Sequence, residues 1–246
     1  MSDRAADTCA SPYRVRFDEA GPDGRLRTSV LLRYTQDLAS YHSAIRGFDR
    51  AWYQGRGLAW MVRAADVAVL APIAYGDDLV GTTQVVGLRR VWARRRTAFV
   101  DKDGAMVAWV HIDWVLLDAR FRPTRIPEEF GAFGAPEATV ALGRVELGSA
   151  SSDALVGRFD VRPQELDPMD HANNAVYADW LDEAVIAAGD LAATRAVPRR
   201  VRLEYAQSAE RGATVGSTVW RADDGWSCRL SDAAGTELLR ARLEPA

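Results

Sequence analysis

The chain has 246 residues, 48% of them hydrophobic and 26% charged, with a formal net charge of −3. That balance suits a soluble globular protein of one large domain or two small ones and argues against bulk attraction to nucleic acid. No run of about 20 apolar residues occurs, and Asp3, Arg4 and Asp7 near the start do not read as a signal peptide, so no membrane span is expected and the protein is expected in the cytoplasm.

In chain order, residues 13–17 read as a short strand. Thr28 or Ser29 offers an N-cap for an amphipathic helix over 29–45. Segments 59–70, 78–91, 96–100 and 105–118 are rich in Val, Trp and Thr and read as strands, with Asp103-Gly104 as a hairpin turn between the last two. Arg122-Pro123-Thr124-Arg125-Ile126-Pro127 and the Gly/Ala/Pro-rich stretch to about Gly148 have linker composition. Beyond it a strand is expected over 157–162, then a helix over 174–189 capped by Asn173 or Asn174. Strands follow at 199–206, 214–221, 227–230 and 237–243. Cys9 and Cys228 lack a CxxC partner, and His42, His111 and His171 lack metal-ligand spacing, so free thiols and neither metal nor organic cofactor are expected.

The two halves repeat one another. The loop and helix from Arg25 match those from His171 at an offset of 146, with Tyr34 and Trp180 at equivalent places. Gly76 then matches Gly212 at an offset of 136, and Gly104 matches Gly235 at 131. The shrinking offset fits a duplication whose second copy has shorter loops. Each half is one long helix followed by an antiparallel meander, an α+β arrangement in which a curved sheet can wrap the helix. The fold expected is two tandem hotdog domains, over 1–130 and 149–246, joined by a linker over 131–148.

With these residues in view, the chain resembles the acyl-ACP thioesterases of plants and bacteria over nearly its whole length. Arg25-Leu26, Leu32-Arg33-Tyr34 and Gln36 resemble that family's first helix. The block from Trp92 through Asp101-Lys102-Asp103-Gly104, Trp114 and Arg125-Ile126-Pro127 is specific to it. Asp167-Pro168-Met169-Asp170-His171-Ala172-Asn173-Asn174-Ala175-Val176-Tyr177 resembles the family's catalytic loop and helix start. The plant pattern has Asp, Asn and His at alternate places; here Met169 stands where the Asn would be. Ser208 and Ala209 follow Leu203-Glu204-Tyr205 where relatives place Glu and Cys. A Cys–His–Asn mechanism is therefore not expected. Asp167-Pro168 also resembles the Asp-Pro loop of the single-hotdog acyl-CoA and hydroxybenzoyl-CoA thioesterases, in which the Asp does the acid–base or nucleophilic work.

The resemblance implies hydrolysis of fatty acyl-ACP to free fatty acid and acyl carrier protein, with the chemistry in the second half. Thioester hydrolysis needs an activated water or a nucleophile, plus donors for the oxyanion. Asp167 is the expected general base or nucleophile. His171 would orient water or share a proton with Asp167, and Asn173 and Asn174 would cap the helix. Backbone amides around Ala172 to Ala175 would meet the thioester oxygen. The equivalent places in the first half hold Gly21 and Arg25, so that half is expected to bind the acyl chain near Val30, Leu31, Tyr34 and Leu38, which would be core in any case. Arg89, Arg90, Arg94, Arg95 and Arg96 either form a solvated patch or attract the acidic carrier protein. The alternatives are an acyl-CoA or aryl-CoA thioesterase, and a non-catalytic acyl-thioester binder. Either a monomer or a homodimer would suit, since fused hotdogs already satisfy the pairing that single ones need.

Overall fold

Alternation of buried and exposed side chains sets where each strand lies, and the strands fall into two units. The computed structural model describes residues 7–133, 144–223 and 225–245. The expected linker thus lies largely outside the described residues. The first unit holds the chain up to Leu26, then Arg33–Arg63, then the chain from Ile73 to Phe133. The second holds Arg27–Leu32, Ala64–Pro72 and the described chain beyond residue 143.

The first unit is built from β1 (Thr8–Arg14), α1 (Thr28–Ile45), α2 (Arg50–Gly55), β2 (Ala59–Val69), β3 (Asp78–Arg89), β4 (Trp92–Val100) and β5 (Met106–Leu117). The first turn of α1 and the second half of β2 group with the second unit. Its strand order is β1-β3-β4-β5-β2. The second unit adds β6 (Leu155–Asp160), α3 (Val176–Ala187), α4 (Leu191–Arg195), β7 (Arg199–Tyr205), β8 (Thr214–Ala222), β9 (Gly225–Ser231) and β10 (Glu237–Pro245). Its order is β7-β10-β9-β8-β6, with Ala64–Val69 of β2 antiparallel to β7.

The duplication holds at the level of atoms. Tyr13 of β1 stacks on Tyr34 of α1 with centroids 4.3 Å apart, and Phe159 of β6 stacks on Trp180 of α3 at 5.8 Å. Both members of the second pair lie 146 residues beyond those of the first. The registers agree as well: Tyr13 faces Leu79 across β1 and β3, and Phe159 faces Val215 across β6 and β8. In each unit the helix is thus held to its sheet by an aromatic pair, which buries large apolar area with defined geometry.

Some bounds differ from the sequence reading, for local reasons. The first strand runs earlier than expected, because Phe17–Glu19 turn back as a short 3₁₀ segment. Helix α3 starts at Val176 rather than 174, because both oxygens of Asn173 bond the chain ahead of it. Helices α2 and α4 were not legible. Each is shorter than two full turns and rests on one Asp cap, Asp49 accepting from Trp52 N and Asp190 from Ala193 N.

The arginine run does not make a single charged patch. It lies on β4, whose side chains alternate between faces. Arg94 is paired bidentately with Asp113 at 2.6 Å. Arg95 points inward, 8% exposed, and donates to Nδ1 of buried His42 at 2.9 Å. Because a guanidinium cannot accept, that nitrogen of His42 is the acceptor and Nε2 carries the proton, facing Asp7 at 3.4 Å. Burial and then Arg95 hold the His42 pKa below its usual value, against the pull of Asp7.

The core of the second unit centres on α3, where Tyr177, Ala178, Trp180, Leu181, Ala184 and Val185 are buried. Leu181 is 0% exposed. Leu181→Ala is expected to lower unfolding free energy by about 2–5 kcal/mol, the range for a large-to-small change in a close-packed interior. Urea or guanidinium titration followed by circular dichroism checks this.

Candidate active site

The chain between β6 and α3 makes a tight, fully bonded loop. Asp167 N donates to His171 O at 2.9 Å, and Asp170 N donates to Asp167 O at 2.9 Å. Asp167 Oδ1 accepts from Met169 N at 2.8 Å, an Asx turn. The turn needs a left-handed residue, and Asp170 supplies it at φ 65°; aspartate tolerates that region better than most side chains. Arg211 holds the Asp170 carboxylate from outside the turn. Asp167 is partly buried, with its second oxygen, Oδ2, unbonded among the described residues. Asp167 and His171 are therefore joined through the backbone. No side-chain hydrogen bond links them, and the part-exposed imidazole has no partner among the described residues.

The helix start accounts for nearly all of its amides. Ala172 N donates to Ala209 O at 2.9 Å, and Asn173 N to Glu165 O at 2.8 Å. Asn173 Oδ1 accepts from Ala175 N at 2.9 Å, and Asn173 O accepts from Val176 N at 2.9 Å. Asn173 thus makes an Asx turn just ahead of the helix, whose N-cap position is Ala175, with no side-chain cap bond. Asn174 acts otherwise: its carbonyl accepts the Tyr205 hydroxyl at 2.9 Å. Of the amides from Ala172 to Ala175 expected to meet an oxyanion, three are committed within the chain. Asn174 N is the one with no acceptor among the described residues, and the positive end of the helix dipole lies there.

The loop after β7 closes the other side. His171 and Glu210 form an isolated β-bridge. Ala209 is buried at 2% exposure, while Ser208 is exposed, so neither position presents a thiol or a carboxylate. Both cysteines are free and buried. Burial pushes the Cys228 thiol up to about 12 and also raises that of Cys9, which makes both poor nucleophiles.

One side chain here is given no role by the sequence reading. Tyr177, 1% exposed in the first turn of α3, accepts a hydrogen bond from Ala209 N at 2.7 Å. Burial pushes its pKa up to about 12, and the Asp167 carboxylate adds to the rise. The signal available was a hydroxyl-bearing aromatic where the first helix carries Leu31, 146 residues earlier.

The first unit contains the same loop without the Asp/His pair. Gly21 N donates to Arg25 O at 2.8 Å, Gly24 N to Gly21 O at 2.9 Å, and Leu26 N to Ile73 O at 2.9 Å. Gly24 takes the left-handed position at φ 74°. These bonds match those of Asp167, Asp170 and Ala172 one for one, with Gly21 in place of Asp167 and Arg25 in place of His171.

The family model described as "Acyl-ACP thioesterase N-terminal domain" matches residues 7–133, and that described as "Acyl-ACP thioesterase C-terminal domain" matches residues 148–242. Among curated proteins, the chloroplastic dodecanoyl-[acyl-carrier-protein] hydrolase of Cinnamomum camphora is 26% identical over 193 residues, covering 70% of this chain and 50% of that protein. The chain thus spans about half the length of the curated relative it matches. The crystal structure of an acyl-ACP thioesterase from Bacteroides thetaiotaomicron superposes with a TM-score of 0.81 at 14% identity, covering 97% of each chain. The 12:0-ACP thioesterase from Umbellularia californica gives a TM-score of 0.79 at 22% identity, covering 96% of each. At these identities the two structures establish the shared hotdog fold.

Further along α3, Asp182 keeps some exposed surface, but protein atoms crowd its carboxyl. Burial pushes its pKa up to about 7, opposed by Arg199 and assisted by Asp179. Arg199 is itself buried, donating to Ala196 O and to Thr28 Oγ1, both at 3.1 Å. A carboxyl raised in the folded state contributes stability that is present below its unfolded pKa of about 3.9 and is lost as pH rises through the folded value near 7. Asp182→Asn mimics the neutral form. It is expected to raise the melting temperature at pH 8, with the gain shrinking between pH 7 and 4; thermal unfolding at a series of pH values measures this.

Proposed function

The chain belongs to the acyl-ACP thioesterase family, and from that premise we propose that it hydrolyses fatty acyl thioesters carried on acyl carrier protein, with Asp167 as the group that activates water. The observation carrying this reading is the Asp167 carboxylate itself. It is fixed by the Met169 amide on one oxygen, bare on the other, and held one tight turn ahead of the start of α3.

In this reading the free oxygen of Asp167 takes a proton from water as the water oxygen attacks the thioester carbonyl carbon. Negative charge gathers on the carbonyl oxygen, where Asn174 N and the helix dipole stabilise it. The C–S bond then breaks, the acyl group leaves as the carboxylic acid, and the thiolate recovers a proton. His171, with its imidazole unengaged, orients the water. Asn173 keeps the turn rigid through its bond to Ala175 N and does not touch the substrate. Direct attack by Asp167 would give a mixed anhydride that water then cleaves; the same carboxylate carries both routes. The first unit, which has Gly21 and Arg25 at the equivalent places, binds the acyl chain. No helix among the described residues is long and apolar enough to cross a membrane, and we place the reaction in the cytoplasm.

Purified wild type and Asp167→Asn should be assayed on acyl-ACPs of graded length and on the matching acyl-CoAs. The expectation is faster turnover of the ACP substrates and a loss of roughly 10²- to 10⁴-fold in kcat for the variant. Equal rates for the two proteins would remove Asp167 from the chemistry. A preference for CoA would overturn the carrier assignment, and no hydrolysis of any thioester would favour a binding protein.

A further inference from the structure

The duplicated loop provides an internal control for the residues around Asp167. In the first unit the loop closes through Gly21 N to Arg25 O and Leu26 N to Ile73 O, and the place equivalent to Tyr177 holds Leu31. In the second unit the equivalent backbone bonds are all present, and a buried phenol is added whose oxygen accepts from Ala209 N. The hydroxyl is therefore not needed to fold this loop. It appears only in the copy that also carries a carboxylate at position 167.

The hydrogen bonding fixes the direction of the phenol. Because Ala209 N–H donates to the Tyr177 oxygen, that lone pair is used and the hydroxyl proton is left to be given elsewhere. The buried rings of Tyr205, edge-on at 5.4 Å, and Trp180, at 4.9 Å, hold the Tyr177 ring in place. Ala209, which donates to the phenol, accepts in turn from Ala172 N, next to His171, whose carbonyl accepts from Asp167 N, so the phenol and the Asp167 carboxylate belong to one bonded corner, and the second Asp167 oxygen is unbonded among the described residues. Asp167 Oδ1 is occupied by Met169 N and Ala172 N is tied to Ala209 O, so among the described residues the unbonded polar groups of this corner include the Tyr177 proton and the second Asp167 oxygen, beside Asn174 N and the His171 imidazole.

We propose that Tyr177 is a second catalytic residue, whose hydroxyl donates a hydrogen bond to the attacking water while Asp167 accepts that water's proton. This rests on the reading of Asp167 as the base. The water is held at two points. One of its protons goes to the free oxygen of Asp167, its remaining lone pair forms the new C–O bond at the thioester carbon, and the thiolate leaves with the electrons of the C–S bond. Tyr177 keeps its own proton throughout.

Tyr177→Phe removes only the hydroxyl. The expected result is a fall of roughly 100-fold in kcat, the scale for losing one positioned donor, with KM changed less than twofold. The double variant, Asp167→Asn with Tyr177→Phe, should be no slower than Asp167→Asn alone, because both groups act on one water. Full activity of Tyr177→Phe beside an inactive Asp167→Asn would overturn this proposal and leave the Asp167 reading intact; an active Asp167→Asn would overturn the reading beneath it. Should Tyr177→Phe melt early, 3,5-difluorotyrosine placed at 177 keeps the ring and the hydroxyl while changing the phenol's acidity. A shifted rate then supports the assignment, and an unchanged rate refutes it.

Discussion

The amide of Ala172 donates to the carbonyl of Ala209, and the corner of the second unit is organised around that bond. A loop leading into a helix has several backbone donors that must find acceptors once water is excluded. Here they are found in sequence: His171 O for Asp167, Ala209 O for Ala172, Glu165 O for Asn173, and the Asn173 side chain for Ala175. Each bond removes a way for the loop to move. Rigidity around Asp167 therefore follows from these backbone bonds, and one carboxylate oxygen and one amide remain unbonded among the described residues.

The same economy governs the duplication. Both units close the loop ahead of their long helix with the same backbone bonds, and both dock that helix with an aromatic pair between the first strand and the helix. The scaffold does not depend on what fills positions 21 and 167 or 25 and 171. Side chains at those places can therefore diverge without cost to the fold, which lets one copy keep a carboxylate while the other carries glycine.

Charge is handled differently in the two interiors. In the first unit a buried arginine, Arg95, leans on a neutral His42, whose remaining N–H faces Asp7. In the second, Asp182 sits in a crowded place across from Arg199 and gains a proton near neutral pH. Neither group belongs to the loop at Asp167. Both illustrate that burial acts first, pushing each group toward its uncharged form, and that nearby charges then adjust the outcome.

The order of elements, the repeat, the linker composition and the loop from Asp167 to Asn174 were all legible in the residues. Helix and strand periodicity, turn chemistry and capping preferences are local, and local rules suffice for them. Short helices such as Arg50–Gly55 escaped, because a single cap carries too little pattern to stand out. The arginine run looked like a surface patch until strand pairing turned alternate side chains to opposite faces and sent Arg95 inward. Which amides of the helix start stay free, and that Tyr177 meets Ala209 across 32 residues of chain, were decided by the tertiary structure alone. Those facts depend on which distant carbonyl or hydroxyl arrives beside a given group, and no spacing along the chain encodes that.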